Sequence, residues 1–154
     1  PTPDQIAEMT LLASTELQHF GLKPRVALLS HSNFGASNSP SARKMRAALD
    51  LVRQAAPDLA VDGEMHADAA LSQALRERLI PDSRFEGPAN LLVMPNLDAA
   101  NITLTALGAS SSSPTVGPML IGTAQPIHVL TPGVTARGIL NLTAIAAAEV
   151  AREG

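Results

Sequence analysis

Apolar positions first recur along the chain at helical spacing, at Ile6, Met9, Ala13, Leu17 and Phe20. Thr2-Pro3-Asp4-Gln5 precedes them with an N-cap hydroxyl, Pro at the first helical position and Gln three residues after the cap. This is a capping-box signature, so we predict a helix from here to a stop at Gly21.

The same reasoning predicts four more helices. Ser39-Pro40 begins the second, which ends before Pro57. Its apolar face consists of Met45, Ala48, Leu49 and Val52. The others are predicted over residues 68–80, 98–107 and 135–152, and the last of these is rich in Ala.

Between the helices lie apolar runs that are too short to form helices and are typical of buried strands. They are residues 25–30, 59–61, 90–94, 119–121 and 127–130. Strands that alternate with helices predict βαβ units and an α/β fold, with a mainly parallel sheet and helices on both faces. We expect residues 26–29 and 91–94 to be central strands. The first helix has no strand before it, so either that strand lies upstream or the helix is an added N-terminal element.

Composition narrows the classes of function. The 154 residues are 45% hydrophobic and 16% charged, which indicates one globular domain without a clear internal boundary. Apolar runs are too short for a membrane span, and the opening Pro1-Thr2-Pro3-Asp4 is unlike a signal peptide, so we expect a cytoplasmic protein. A net charge of −3 and only three aromatic residues argue against a nucleic-acid partner. Without cysteines there is no thiolate nucleophile.

Candidate chemistry follows the predicted strands, because ligands of open α/β sheets bind beyond the carboxyl ends of the strands. The first candidate is the run 30–39, whose hydroxyls, amides and Gly35 lead into a helix N-terminus that favours an anion such as phosphate. Arg43, Lys44 and Arg46 add positive charge. An equally open interpretation is that the hydroxyls only form turns and the basic residues only coat a solvated face.

Two further strand ends are less specific. In the run 95–102, Asn96 or Asp98 either caps the helix or contacts a ligand, and the run 130–135 is a plausible pocket wall. Four histidines are scattered without ligand spacing, so we favour no metal. Asp62, Glu64 and Asp68 around Gly63 form either a turn with solvated carboxylates or a functional cluster.

Several segments together resemble the phosphate acetyl/butyryltransferase family over essentially the whole chain. The matching runs are 26–30, 56–64, 89–102 and 117–126. Ser30-His31-Ser32-Asn33-Phe34-Gly35, the run 40–46 and the run 128–132 resemble the version fused behind bacterial NADP-dependent malic enzymes. The resemblance implies an isocitrate/isopropylmalate-dehydrogenase-like fold, of which residues 1–154 would be the C-terminal part of a phosphotransacetylase-like regulatory domain.

One departure from the family pattern is informative. Active phosphotransacetylases carry Ser-Arg-Gly after the last strand and an Asp shortly afterwards, where the Arg neutralises acetyl phosphate and the Asp is the proposed base. Here Pro132 stands in place of the Arg and Gly138 in place of the Asp. Losing both groups should remove useful turnover, because each typically contributes about two to four orders of magnitude in rate.

The resemblance therefore implies a non-catalytic domain that binds acetyl-CoA or a related acyl-CoA as an effector and controls an attached malic-enzyme catalytic domain. NADP and a divalent metal are expected in that domain, and this chain itself has no cofactor. The expected acetyl-CoA-binding residues are Ser30, Ser32, Asn33, Ser37, Arg43, Lys44, Arg46, Asn96, Asn101, Thr131 and Arg137. One alternative is an active phosphate acetyltransferase with His31 or Asp98 as base. Another, compatible with regulation, is a module that builds a homo-oligomer through domain dimerisation.

Overall fold

The computed structural model of the chain is an α/β structure that describes residues 1–111 and 115–153. In chain order its elements are α1 (Pro3–His19), β1 (Arg25–Leu29), α2 (Pro40–Ala55), β2 (Ala60–Met65), α3 (Ala67–Leu71), α4 (Gln73–Leu79), β3 (Leu91–Val93), α5 (Leu97–Ser110) and α6 (Ala136–Glu153). They group into two compact units, a first unit from Pro1 to Leu104 and a second from Thr105 to Gly154. Within the described part of the chain, no helix is both long and apolar enough to cross a bilayer.

The first unit contains a three-stranded sheet in the order β2-β1-β3. Both neighbours of β1 run parallel to it, with Val26 paired to Val61 on one side and to Leu91 on the other. The predicted parallel sheet is confirmed, and both runs predicted to be central are strands of it. Only β1 is central, however, because β3 is an outer strand of the described sheet.

Two apolar cores lie on opposite faces of this sheet, because successive side chains of a strand point to opposite sides. Val26 and Leu28 face the core that α1 and α2 complete, whereas Ala27 and Leu29 face a second core. The second core includes Met65 and Phe85 together with Ala69, Ala70 and Ala89. The predicted arrangement of helices on both faces is therefore confirmed.

Capping side chains fix the helix starts that the sequence predicts. Thr2 Oγ1 accepts a hydrogen bond from Gln5 N at 3.3 Å, and Gln5 Oε1 accepts one from Thr2 N at 2.9 Å, which completes the capping box. Gly21 follows α1 with a φ of 74°, a left-handed conformation that suits glycine. Ser39 Oγ accepts from Ala42 N at 3.2 Å at the start of α2.

The second strand is longer than the sequence predicts. Residues 59–61 were expected to form it, but β2 continues to Met65, and Asp62 and Glu64 lie buried within it. The interpretation as a turn with solvated carboxylates is therefore wrong for Asp62 and Glu64, whereas Asp68 is exposed. Arginines of α2 make the burial tolerable, since each of the two carboxylates forms an ion pair with one of them.

The helix predicted over residues 68–80 is divided in two at Ser72. This residue has extended backbone angles (φ −119°, ψ 108°), and its hydroxyl accepts from Leu75 N at 3.3 Å to begin α4. A serine that hydrogen-bonds nearby backbone offers an alternative to continuous helix.

In the second unit, the predicted strands 119–121 and 127–130 are wrong. The described residues show one antiparallel bridge there, between Met119 and His128. A strand needs a neighbour for its backbone groups, and a two-stranded pairing alone is marginal. The helices α5 and α6 occur close to their predicted positions. The serine-rich stretch 108–117 also reads as a loop in the sequence, but α5 continues into it as far as Ser110, and residues 112–114 lie outside the described residues.

Candidate functional site

A crevice for a ligand is expected where the strand order changes direction. The chain passes from central β1 to β2 at one side, and then crosses to β3 at the other side. In such sheets the ligand crevice lies beyond the carboxyl ends of the two strands that flank this switch, here β1 and β3. The loop after β1 (residues 30–39, called the β1 loop) and the residues after β3 therefore border the candidate site.

The β1 loop is closed around the buried carboxylate of Glu64. One oxygen, Oε1, accepts hydrogen bonds from Ser32 Oγ at 2.6 Å, Gly35 N at 3.1 Å and Arg46 Nη1 at 2.7 Å. The Ser32 hydroxyl in turn accepts from Ser37 N at 3.0 Å. Glu64 thus connects two points of the loop to the helix that follows it.

Two successive residues with positive φ allow this closure. Phe34 has a φ of 47° and Gly35 a φ of 89°. Their amides both point to Glu64, since Phe34 N donates to its backbone oxygen at 2.7 Å and Gly35 N to its side chain. The left-handed conformation costs little at Gly35 and more at Phe34, so the bonds to Glu64 help to hold it.

The other predicted ligand groups of the loop also make internal hydrogen bonds. Asn33 Oδ1 accepts from His66 N at 2.7 Å and ties the loop to the end of β2. The Ser30 hydroxyl accepts from Ser32 N at 3.3 Å, and the Ser37 hydroxyl from Ser39 N at 3.2 Å. The structure therefore brings Ser30, Ser32, Asn33 and Ser37 together as predicted, and their contact with a ligand stays a prediction.

Three cations at the start of α2 donate to loop oxygens at the same edge of the sheet. Arg46 bonds to the backbone oxygen of Ser37 at 2.9 Å and to Asn38 Oδ1 at 3.2 Å, and Arg43 donates to the backbone oxygen of Asn38. Lys44 Nζ reaches Pro95 O at 2.7 Å, beyond the end of β3. The three side chains thus lie at the switch point, where Arg43 is exposed and Arg46 is paired with Glu64, and their contact with an anionic ligand stays a prediction.

Residues after β3 contribute amides at the same edge. Asn96 Oδ1 accepts from Ala99 N at 2.8 Å, so this exposed side chain caps α5. Asp98 and Asn101 are also exposed, in the first two turns of the helix. Capping is the observed role of Asn96, and binding by Asn96 or Asn101 stays a prediction.

The second unit contains a small pocket of about 210 Å³ formed by the run that follows residue 130. Thr131 and Gly138 both line it, together with Thr115 and Thr135. A Cβ atom added at Gly138 would lie 2.8 Å from Val134 Cγ2, so a side chain fits there only if Val134 moves. Arg137 is exposed at the start of α6 and is not among the lining residues.

The sequence analysis missed the role of Glu64 and did not consider Arg53 or Arg76. A usable signal was the position of Asp62 and Glu64 between the apolar Val61 and Met65, which suggests continuation of the strand.

Among the residues that the structure describes, no group of three or more His, Asp or Glu side chains could hold a metal ion.

Comparison with known proteins decides the family. Residues 1–147 match the family model described as phosphate acetyl/butaryl transferase. The chain belongs to this family. It is 56% identical over 149 residues to the NAD-dependent malic enzyme of Rhizobium meliloti, and 55% over 150 residues to the NADP-dependent malic enzyme of Escherichia coli. Each match covers 97% of this chain but only 19% and 20% of those enzymes.

A solved phosphotransacetylase from Streptococcus pyogenes has the same fold as this family member, with a TM-score of 0.93 at 32% identity. The match covers 99% of this chain and 46% of that one. Since identity to the malic enzymes is higher, the resemblance to the phosphotransacetylase-like segment of malic enzymes is confirmed. The wider likeness to isocitrate dehydrogenases stays an expectation.

Proposed function

We propose that this chain is a non-catalytic regulatory domain that binds acetyl-CoA, or a related acyl-CoA, and controls an attached malic-enzyme catalytic domain. That catalytic domain would convert malate to pyruvate by oxidative decarboxylation with NADP and a divalent metal, all outside these residues. The observation that carries the proposal is the pair of residues Pro132 and Gly138, in a family member that is 56% and 55% identical to segments of two malic enzymes.

The pocket beside Gly138 supports binding over chemistry. Proline has no charge with which to neutralise a transferring acyl phosphate, and glycine has no base for a thiol whose ordinary pKa is about 8.5. A Cβ atom at position 138 would lie 2.8 Å from Val134 Cγ2, so a carboxylate side chain there would require Val134 to move. Hydroxyls of Thr131 and Thr135 remain as neutral hydrogen-bonding groups.

The cations at the switch point supply the attraction for an anionic effector. Lys44 is half-buried and donates to Pro95 O, whereas the charge of the half-buried Arg46 is already paired with Glu64 at 2.7 Å, so the attraction depends mainly on Lys44. An ammonium group has three donors, so Lys44 can hold Pro95 and also bind a phosphate oxygen. A helix N-terminus beside these cations adds to the positive potential.

Exposed apolar surface supports a role in assembly. The described residues of α5 include none that is buried, and Leu97 and Ile102 are 72% and 68% exposed. On α6, Leu140 is 67% exposed. Helices with such surfaces are typical of contacts with another subunit or another part of the same protein, which fits the proposed homo-oligomer.

Calorimetry of acetyl-CoA with the intact protein tests the proposal. We expect saturable binding that Lys44→Gln weakens, by about 1.5–3 kcal/mol if the phosphate contact is well ordered, and less at high salt. The same samples should transfer no acetyl group from acetyl phosphate to CoA above background. Absence of binding at millimolar acetyl-CoA would refute the proposal, and clear transfer would restore the active transferase with His31 or Asp98 as base.

A further inference from the structure

The buried pair Glu64–Arg46 has a role beyond the stability of the fold. We propose that Glu64 is a positioning residue, whose carboxylate sets the β1 loop in the conformation that receives the effector. The proposal rests on the proposed function, because the effector is taken to bind at the switch point that this loop borders.

All the hydrogen bonds of the Glu64 side chain are accepted by one of its two oxygen atoms. Its Oε1 atom receives the three donors from Ser32, Gly35 and Arg46, whereas Oε2 is buried and has no hydrogen-bond partner among the described residues. Bonds to a charged acceptor are roughly twice as strong as neutral ones. Two donors of the β1 loop and Arg46 of α2 therefore converge on a single buried oxygen atom, beside the bonds that Asn33 and Phe34 make to the end of β2.

Removing the negative charge would affect both sides of the loop. Ser32 Oγ, which also orders Ser37 N, would bond to a weaker acceptor. Arg46 would lose its counter-ion and keep only neutral oxygens. The loop would then exchange among several conformations, and an effector would have to order it on binding at a cost in affinity.

A second buried pair on the same two elements provides a matched control. Asp62 is 1% exposed and accepts from Arg53 Nη2 at 2.9 Å, as Glu64 accepts from Arg46. Asp62 accepts its other hydrogen bonds from Gly63 N at 3.2 Å and Arg84 N at 3.0 Å, and neither donor belongs to the β1 loop. Asp62→Asn and Glu64→Gln thus remove the same charge from two buried ion pairs, but only Glu64 accepts hydrogen bonds from the β1 loop.

The experiment compares these two variants of the intact protein by hydrogen exchange, calorimetry with acetyl-CoA, and thermal unfolding. Glu64→Gln should speed the exchange of the amides of Gly35 and Ser37 about tenfold or more, and raise the Kd for acetyl-CoA by a similar factor. Asp62→Asn should lower the Tm comparably, but leave loop exchange and Kd within about twofold of wild type.

The inference is overturned if Glu64→Gln leaves either loop exchange or the Kd of a protein that binds acetyl-CoA unchanged, or if Asp62→Asn weakens binding as much as Glu64→Gln. If wild-type protein fails to bind acetyl-CoA, the proposed function falls, but the exchange data still test the loop. Faster loop exchange in Glu64→Gln alone would support the positioning role, and equal exchange in both variants would refute it.

Discussion

Arg76 offers a test of how buried charge stabilises the first unit. Its side chain is fully buried and lies over the ring of Phe85, with Cζ 4.1 Å from the ring centroid. It donates hydrogen bonds to Ser83 Oγ at 2.8 Å and to the backbone oxygens of Ala69 at 3.1 Å, Ala70 at 3.3 Å, Phe85 at 3.0 Å and Gly87 at 2.7 Å. Burial lowers the pKa of Arg76 from its ordinary value, against the opposing attraction of Asp62 and Glu77.

Replacement of Arg76 by Met keeps an apolar stem of similar length but removes every donor. Ala70 O still accepts from Ala89 N at 2.8 Å and Phe85 O from Ser83 Oγ at 3.3 Å, so the loss falls mainly on the carbonyls of Ala69 and Gly87. A buried carbonyl left without a partner costs about 1–3 kcal/mol, and part of this is offset because the guanidinium no longer has to leave water, so the net loss should be about 2–4 kcal/mol. The lost cation–π contact with Phe85 is expected to account for about 0.5–2 kcal/mol of that total.

Urea unfolding followed by circular dichroism measures the loss directly. Arg78→Met is the matched control, since Arg78 is an exposed residue of the same helix. Its free energy of unfolding should stay within about 0.5 kcal/mol of the wild-type value. A free energy of unfolding for Arg76→Met within about 1 kcal/mol of that control would refute the reasoning. The hydrogen bonds would then contribute no more than surface contacts do.

Two smaller predictions concern the backbone and the first helix. Gly63→Ala should destabilise by more than about 2 kcal/mol in the same assay, because φ is 146° and the new Cβ would lie 2.7 Å from Leu28 O. Gly133→Ala, where nothing lies within 4 Å, should be nearly neutral. Thr2→Ala should cost about 1 kcal/mol by removing the cap of α1, and Thr2→Ser should restore most of it. An unchanged free energy of unfolding in either destabilising variant would contradict the corresponding argument.

The first unit was largely predictable, because its signals are local. Buried runs such as residues 26–29 identify strands wherever they occur, and the Thr2 and Ser39 caps act on amides within three residues. Asp62 and Glu64 were misread because their burial depends on partners elsewhere. Arg53 and Arg46 approach them from α2, and nothing in the sequence around Gly63 identifies those partners.

The second unit shows the opposite error. The runs 119–121 and 127–130 have the composition of buried strands, yet Leu120 and Ile127 are exposed. An apolar run forms a strand only when a neighbouring strand can pair with it. The apolar pattern of the run does not show whether such a neighbour exists. Similarly, the sequence indicates that the hydroxyls of the β1 loop lie next to the cations at the start of α2, but it does not indicate that the buried carboxylate of Glu64 joins Ser32 to Arg46.

Inhibition of malate oxidation by acetyl-CoA tests the central claim most directly. The intact protein should oxidise malate and lose activity as acetyl-CoA is added, whereas protein lacking residues 1–154 should keep its activity and no longer respond. An equal response of both proteins would place the effector site elsewhere. An intact enzyme that ignores millimolar acetyl-CoA would contradict the regulatory role itself.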